Sequence, residues 1–161
     1  MNYFATSCTH FGHGNIISLA GRPFPNAKEM DEALIANWNS VVKPEDTIFH
    51  LGDVTWWNME KTKDIFDKLK GIKIFIRGNH DDPWVSQVIP WSGCYDYLET
   101  KIFHKKFVFF HYPIERWNGI GKGTIHIHGH IHNNPLPVIE NRHNVCVEVA
   151  NYTPVNLEEF A

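Results

Sequence analysis

The chain has little of what marks an exported, membrane-bound or nucleic-acid-coating protein. Its three cysteines, Cys8, Cys94 and Cys146, are odd in number, far apart and without a C-x-x-C pair, which argues against a disulfide framework and against a ribbon-type zinc site. No apolar run approaches the roughly 20 residues that span a bilayer. The amino terminus lacks a basic segment followed by an apolar stretch, so the expectation is an unexported, cytoplasmic protein with no membrane partner. A formal net charge of -3 provides no general electrostatic footprint for nucleic acid or anionic lipid, and any anion must be held locally. Repeats and low-complexity tracts are also lacking. With 161 residues and 43% apolar content, residues 1–161 fit one domain with enough interior for a core, and leave no room for a second.

Proline and glycine punctuate an alternating pattern. Asn2 to Ser7 reads as a short first strand. Gly21-Arg22-Pro23-Phe24-Pro25 is a loop, because proline restricts both itself and its predecessor, and Asn26 can cap the helix that follows. Met30, Ala33, Leu34, Trp38 and Val41 recur at helical spacing and give that helix an inward apolar face until Pro44 stops it. Thr47 to Leu51 is the next strand. Met59, Thr62, Ile65, Phe66 and Leu69 trace a second helical face ending at Gly71, and Lys73 to Ile76 is strand again. After a connection from Trp84 to Gly93, Tyr97 to Phe103 and Phe107 to Phe110 read as an antiparallel hairpin turning at His104-Lys105-Lys106. Thr124 to His128 and Asn144 to Val149 supply two further strands. A βαβαβ first half and a mostly β second half predict a mixed α/β fold with two stacked sheets flanked by helices.

Metal-type side chains gather at the ends of these strands. Cys8-Thr9-His10, Gly52-Asp53, Gly78-Asn79-His80-Asp81, Phe109-Phe110-His111 and Gly129-His130-Ile131-His132 each close an apolar run, as in parallel sheets whose sites lie beyond the strand carboxyl ends. Imidazoles suit Zn, Fe, Ni or Mn, and carboxylate and carbonyl oxygens suit harder divalent cations. A lone histidine is more often a satisfied core residue than a ligand. The ordered set, with a strand before nearly every block, reverses that expectation for His10, His111, His130 and His132. His50, His126 and His128 claim no block position and read as core residues or as supports for ligands, and His104 and His143 as surface turn residues.

Taken in order, these blocks resemble the calcineurin-like metallophosphoesterase family, whose pattern is D-x-H, G-D, G-N-H-D/E, H and G-H-x-H. The similarity runs from the first strand almost to the carboxyl end. Thr9-His10-Phe11-Gly12-His13 is similar to the small single-domain bacterial and phage members. The resemblance implies a four-layer αββα sandwich of two mixed β-sheets flanked by helices. It also implies a hydrolase that cleaves a phosphomonoester or phosphodiester with two divalent cations, of Mn, Zn, Fe or Ni. One cation would take position 8, His10, Asp53 and His132, and the other Asp53, Asn79, His111 and His130, with a hydroxide between them attacking phosphorus in line. By the same resemblance His80 faces the substrate and stabilises or protonates the leaving oxygen, with Asp81 fixing its tautomer. His13 either touches substrate or packs. Arg22 either clamps a phosphate bidentately or is an ordinary surface arginine.

Position 8 departs from the family pattern, which has aspartate where this chain has Cys8. A thiolate keeps the carboxylate's charge and binds zinc or iron well; a neutral thiol weakens one position and leaves a single cation; a disabled site leaves a scaffold. Two functions therefore stand open: a metal-dependent phosphohydrolase, and a catalytically impaired scaffold of this fold that binds a protein partner. The substrate would be a small phosphoester. It would be a nucleotide if Trp56, Trp57 or Trp117 offers a face for a base, the alternative being that these rings pack in the core or rim.

Overall fold

A computed structural model describes all residues, Met1–Ala161. Nine strands form two mixed sheets. The first sheet contains β1 (Tyr3–Thr6), β2 (Thr47–His50), β3 (Ile72–Ile76), β4 (Gly93–Tyr95) and β9 (Val155–Asn156), in the order β4-β3-β2-β1-β9. Strands β1 to β4 are parallel, and β9 pairs antiparallel with β1. The second sheet has the order β5-β6-β7-β8, made from β5 (Tyr97–Ile102), β6 (Lys105–Phe110), β7 (Ile125–His128) and β8 (Arg142–Asn144). There β5 and β6 are antiparallel, whereas β6, β7 and β8 run parallel.

The helices α1 (Gly14–Leu19), α2 (Ala27–Val41), α3 (Met59–Lys68) and α4 (Val85–Val88) accompany the first sheet. Asn26 caps α2, its side-chain oxygen accepting from Glu29 N at 2.9 Å, and Asn58 caps α3 by accepting from Lys61 N at 2.9 Å. Each such cap contributes about 1 kcal/mol. The inner stripes of α2 and α3, including Met30, Leu34, Trp38, Ile65 and Phe66, join Phe4, Ile48 and Phe75 in one core. A second core lies between the sheets, where Phe49 and Phe109 stack with centroids 4.2 Å apart and Ala5, Leu51, Ile76, Phe107, Ile125 and Ile127 surround them. The remaining face of the second sheet is covered by residues 112–124. There Ile114 N donates to His126 Nε2, Trp117 Nε1 donates to Thr124 O, and the only helical element is the 3₁₀ turn Ile120–Lys122. No helix is long and apolar enough to cross a membrane.

Several expectations need correction. The hairpin turns at Phe103-His104, both with positive φ, so that Lys105 and Lys106 belong to β6. The stretch expected as a strand from Asn144 to Val149 instead ends β8 at Asn144 and then crosses between the sheets. Val145 enters the inter-sheet core, Cys146 forms an isolated parallel bridge with Ser7, and Val147–Val149 is a 3₁₀ turn. His143 lies on β8, half-buried and stacked on Phe160 at 4.1 Å, rather than in a surface turn. The short elements α1, α4, β4 and β9 were not legible from periodicity, which needs longer windows.

Candidate metal centre

The carboxyl ends of β1, β2 and β3 in one sheet meet those of β6 and β7 in the other, and the five sequence blocks converge there. The ligating atoms of Cys8, His10 and His132 lie within 4.8 Å of one another, as do those of Cys8, Asp53 and His111. The geometry is held by unusual backbone. Cys8, His10, Asp53, His130 and His132 all have positive φ, between 49° and 71°. Left-handed conformations in non-glycine residues cost roughly 1–3 kcal/mol each and concentrate where function overrides local preference. Two glycines let the loops touch. A Cβ on Gly52, at φ +94°, would lie 2.4 Å from Gly78 N, and one on Gly78 would lie 2.4 Å from Asp53 Oδ1.

Asp81 fastens the same junction. Its Oδ2 accepts from Asp53 N and Gly78 N, and its Oδ1 from Val54 N, each at 2.8 Å. Burial raises its carboxyl above the ordinary range; these three N–H groups oppose that effect and the Asp53 charge adds to it. The carboxylate is thus committed to the loop backbones, which corrects the expectation that it fixes the tautomer of His80.

At the centre, Asp53 Oδ2 lies 3.4 Å from His111 Nε2 and 3.8 Å from His10 Nε2. Burial works against ionisation of Asp53, but His111, the backbone N–H of His80 and His10 outweigh it and pull the carboxyl down to about 2. His10 is pulled down to about 2, chiefly by burial, so its ring is neutral at pH 7. Its Nδ1 faces His13 Nδ1 at 3.2 Å, while its Nε2 is buried without any hydrogen-bond partner. His111 Nδ1 donates to Leu51 O, and its Nε2 lies 2.9 Å from Asn79 Oδ1. His130 Nδ1 reaches the same oxygen at 3.2 Å. For His111, burial lowers the pKa, but the Asp53 carboxylate beside it and the Leu51 carbonyl raise it further, to a net increase. The buried His10 Nε2, unpartnered and facing the Asp53 carboxylate, is an arrangement that a bound cation would satisfy. The residues present therefore fit a metal centre.

Cys8 is buried, and burial pushes its thiol well above the ordinary range, with the Cys146 contact adding to the effect. Its sulfur accepts from His130 N at 3.3 Å and lies 3.3 Å from Ser7 Oγ and 3.6 Å from Cys146 Sγ. His50, on β2, supports the site from below. Its Nδ1 accepts from Gly52 N at 3.1 Å, so its Nε2–H donates to Thr9 Oγ1 at 2.9 Å, and that hydroxyl donates to Val54 O at 2.8 Å.

The rim is aromatic. Trp56, 42% exposed, stacks on His13 at 4.0 Å and lies 4.7 Å from His10 and 5.2 Å from the exposed His80. Of the three tryptophans considered as base platforms, only Trp56 stands here. Trp57 packs over Gly12 and donates to Asp31 Oδ2 at 2.7 Å, and Trp117 is buried in the cover of the second sheet.

Arg22 is the clearest correction. Its side chain is buried, donating to Cys8 O at 2.6 Å, Thr9 O at 2.9 Å and Glu148 Oε1 at 2.7 Å. A guanidinium so occupied has no fork free for a phosphate. Its partner Glu148 was missed in the sequence, where the only signal was a lone acid within the apolar run Val145 to Val149. Its Oε1 also accepts from His132 Nδ1 at 2.7 Å. Burial opposes its ionisation, yet His132 and Arg22 hold the carboxyl below its ordinary value.

Several known proteins are similar to this chain. The family model described as calcineurin-like phosphoesterase matches residues 1–153. An uncharacterized protein of Methanocaldococcus jannaschii is 38% identical over 96% of this chain and 86% of its own length. The gene 66 protein of Mycobacterium phage L5 is 27% identical over 88% of this chain and 81% of its own. Among solved structures, a protein of unknown function from Aquifex aeolicus superposes with a TM-score of 0.80 at 30% identity, covering 98% of this chain and 96% of that one. A phosphoesterase from E. coli shares the fold at a TM-score of 0.55 and 13% identity, over 91% of this chain and 78% of that one.

Proposed function

Because this chain belongs to the calcineurin-like phosphoesterase family, we propose that it is a metal-dependent phosphohydrolase of small phosphomonoesters or phosphodiesters. In this reading Cys8, His10, Asp53 and His132 hold one divalent cation, and Asp53, Asn79, His111 and His130 hold the other. The observation that carries it is the buried His10 Nε2, which has no partner and faces the Asp53 carboxylate at 3.8 Å. When bound, two divalent cations lower the pKa of water and neutralise the charge that builds on phosphoryl oxygens.

The chain's own residues do the rest. Asp53, ionised and held through Oδ1 by His80 N at 2.9 Å, links the two halves of the ligand set. His80 is exposed at the mouth, and its ring is free to give a proton to a departing alkoxide. Trp56 and His13 form a flat wall beside it, against which the organic part of a phosphoester can rest.

One observation favours the second reading, an impaired scaffold that binds a protein partner: burial keeps Cys8 protonated unless a cation displaces the proton. Activity tests the choice. Protein loaded with Mn or Zn is expected to hydrolyse bis(p-nitrophenyl) phosphate, to lose that activity in chelator and to regain it on metal addition. Cys8→Asp is expected to raise the Mn-dependent rate, because a hard carboxylate suits that ion better. No hydrolysis by either protein with any of the four metals would leave the scaffold reading.

A further inference from the structure

The segment crossing from the second sheet to the first brings Glu148 beside two separate parts of the metal centre. Glu148 Oε1 accepts from His132 Nδ1 at 2.7 Å on one side, and from Arg22 Nη2 at 2.7 Å and Nε at 3.0 Å on the other. Arg22 in turn donates to the carbonyls of Cys8 and Thr9. None of these contacts is solvent-exposed chance, because the Arg22 and Glu148 side chains are both essentially inaccessible. A carboxylate only accepts, so the shared proton sits on His132 Nδ1, and in a neutral ring so bonded the lone pair is on Nε2. His132 is only half-buried, so packing alone does not fix the direction of its ring.

We infer that Glu148 is a positioning residue for the metal centre: braced by Arg22 against the Cys8–Thr9 backbone, it fixes the tautomer and direction of the His132 ring so that Nε2 is offered to a cation. The inference rests on the metal-centre reading above. A carboxylate on the far nitrogen of a ligating imidazole raises the ring's basicity and orients it, and its loss typically weakens metal affinity 10- to 100-fold. The brace couples Cys8 and His10 to His132, so it aligns ligands of one cation that come from opposite ends of the chain.

The test measures metal affinity rather than turnover. Competition with a chromophoric chelator for Zn is expected to show Glu148→Gln weakened about 10- to 100-fold, with circular dichroism at 25 °C unchanged. In a His132→Ala background the added Glu148→Gln change is expected to weaken affinity much less than it does in wild type, since its route through the ring is gone and only the Arg22 brace on the Cys8–Thr9 backbone is left. Affinity within twofold of wild type in the single variant would overturn the inference, and so would an equal further loss in the double variant. Should Glu148→Gln fail to fold, long-range ¹H–¹⁵N correlation on the unmutated apo protein decides instead. His132 is expected as the Nδ1–H tautomer, and the Nε2–H tautomer would refute the assignment. Wild type that binds no divalent ion would overturn the metal-centre reading itself, whereas wild-type binding with unaffected variants removes only the role of Glu148.

Discussion

Replacing Asp81 by alanine separates a structural carboxylate from a catalytic one. The substitution strips the acceptor from three backbone N–H groups, those of Asp53, Val54 and Gly78, all bonded at 2.8 Å and all in buried residues. A buried donor left unsatisfied costs about 1–3 kcal/mol. Three give roughly 3–9 kcal/mol, and water reaching the half-buried position of Asp81 pulls the figure toward the lower end, so a loss of about 3–5 kcal/mol is expected. Asp81→Asn keeps the volume and one acceptor oxygen, and it also removes a charge whose burial raises the carboxyl pKa. It is expected to lose less than half as much. The assay is urea unfolding of the apo proteins in chelator at pH 7, comparing midpoints at constant slope. If both variants unfold within about 1 kcal/mol of wild type while turnover collapses, Asp81 acts on His80 and the structural account is wrong.

Other outcomes follow from the same geometry. Arg22→Ala leaves Glu148 charged and buried without its guanidinium, so it is expected to destabilise the fold by about 3–5 kcal/mol. With the metal sites saturated, it should leave the inhibition constant for inorganic phosphate within threefold in whatever protein remains folded, whereas a tenfold weakening with intact stability and full metal occupancy would restore Arg22 as a phosphate clamp. His80→Ala is expected to keep its metal content and lose turnover, more on alkyl than on p-nitrophenyl phosphoesters, since a basic leaving oxygen needs the proton more; metal loss would reassign it as a ligand. The apo protein should weaken as pH falls. Burial pulls His50 to about 3 and His126 and His128 to about 4. A folded pKa below the unfolded value means that the unfolded chain takes up the proton first, so this stability is present above about pH 6.5 and is lost progressively toward pH 4. Each such histidine contributes a slope of up to about 1.4 kcal/mol per pH unit. His50→Gln is expected to flatten the urea-midpoint profile between pH 6.5 and 4, and an unchanged profile would show that His50 is protonated in the folded state.

Much of the centre was legible because its residues sit in short blocks, each fixed to the end of a strand that the apolar pattern reveals. The alternation around β1, β2 and β3 and the helical faces of α2 and α3 gave the first sheet and its cover. What was not legible depends on contacts between distant segments. Asp81 next to His80 in sequence suggested a dyad, but the folded loops turn its carboxylate onto Asp53 N, Val54 N and Gly78 N. Arg22, in a proline-rich loop, looked exposed until Glu148, 126 positions away, was seen to pair with it. The stretch from Asn144 to Val149 has strand composition, yet it must pass from one sheet to the other, and the crossing breaks the ladder after Asn144. Periodicity reports which face is buried; it carries no information on where a segment changes sheets.

The central claim is that two cations share Asp53. The most direct measurement is metal content per chain by elemental analysis, after loading apo wild type and Asp53→Asn with Mn or Zn and removing free ion. The account expects two ions per wild-type chain, and in Asp53→Asn a loss of both ions, or of one with the other weakened, accompanied by loss of phosphodiester hydrolysis. Wild type that retains no ion, or Asp53→Asn that retains both with unchanged affinity, would contradict it.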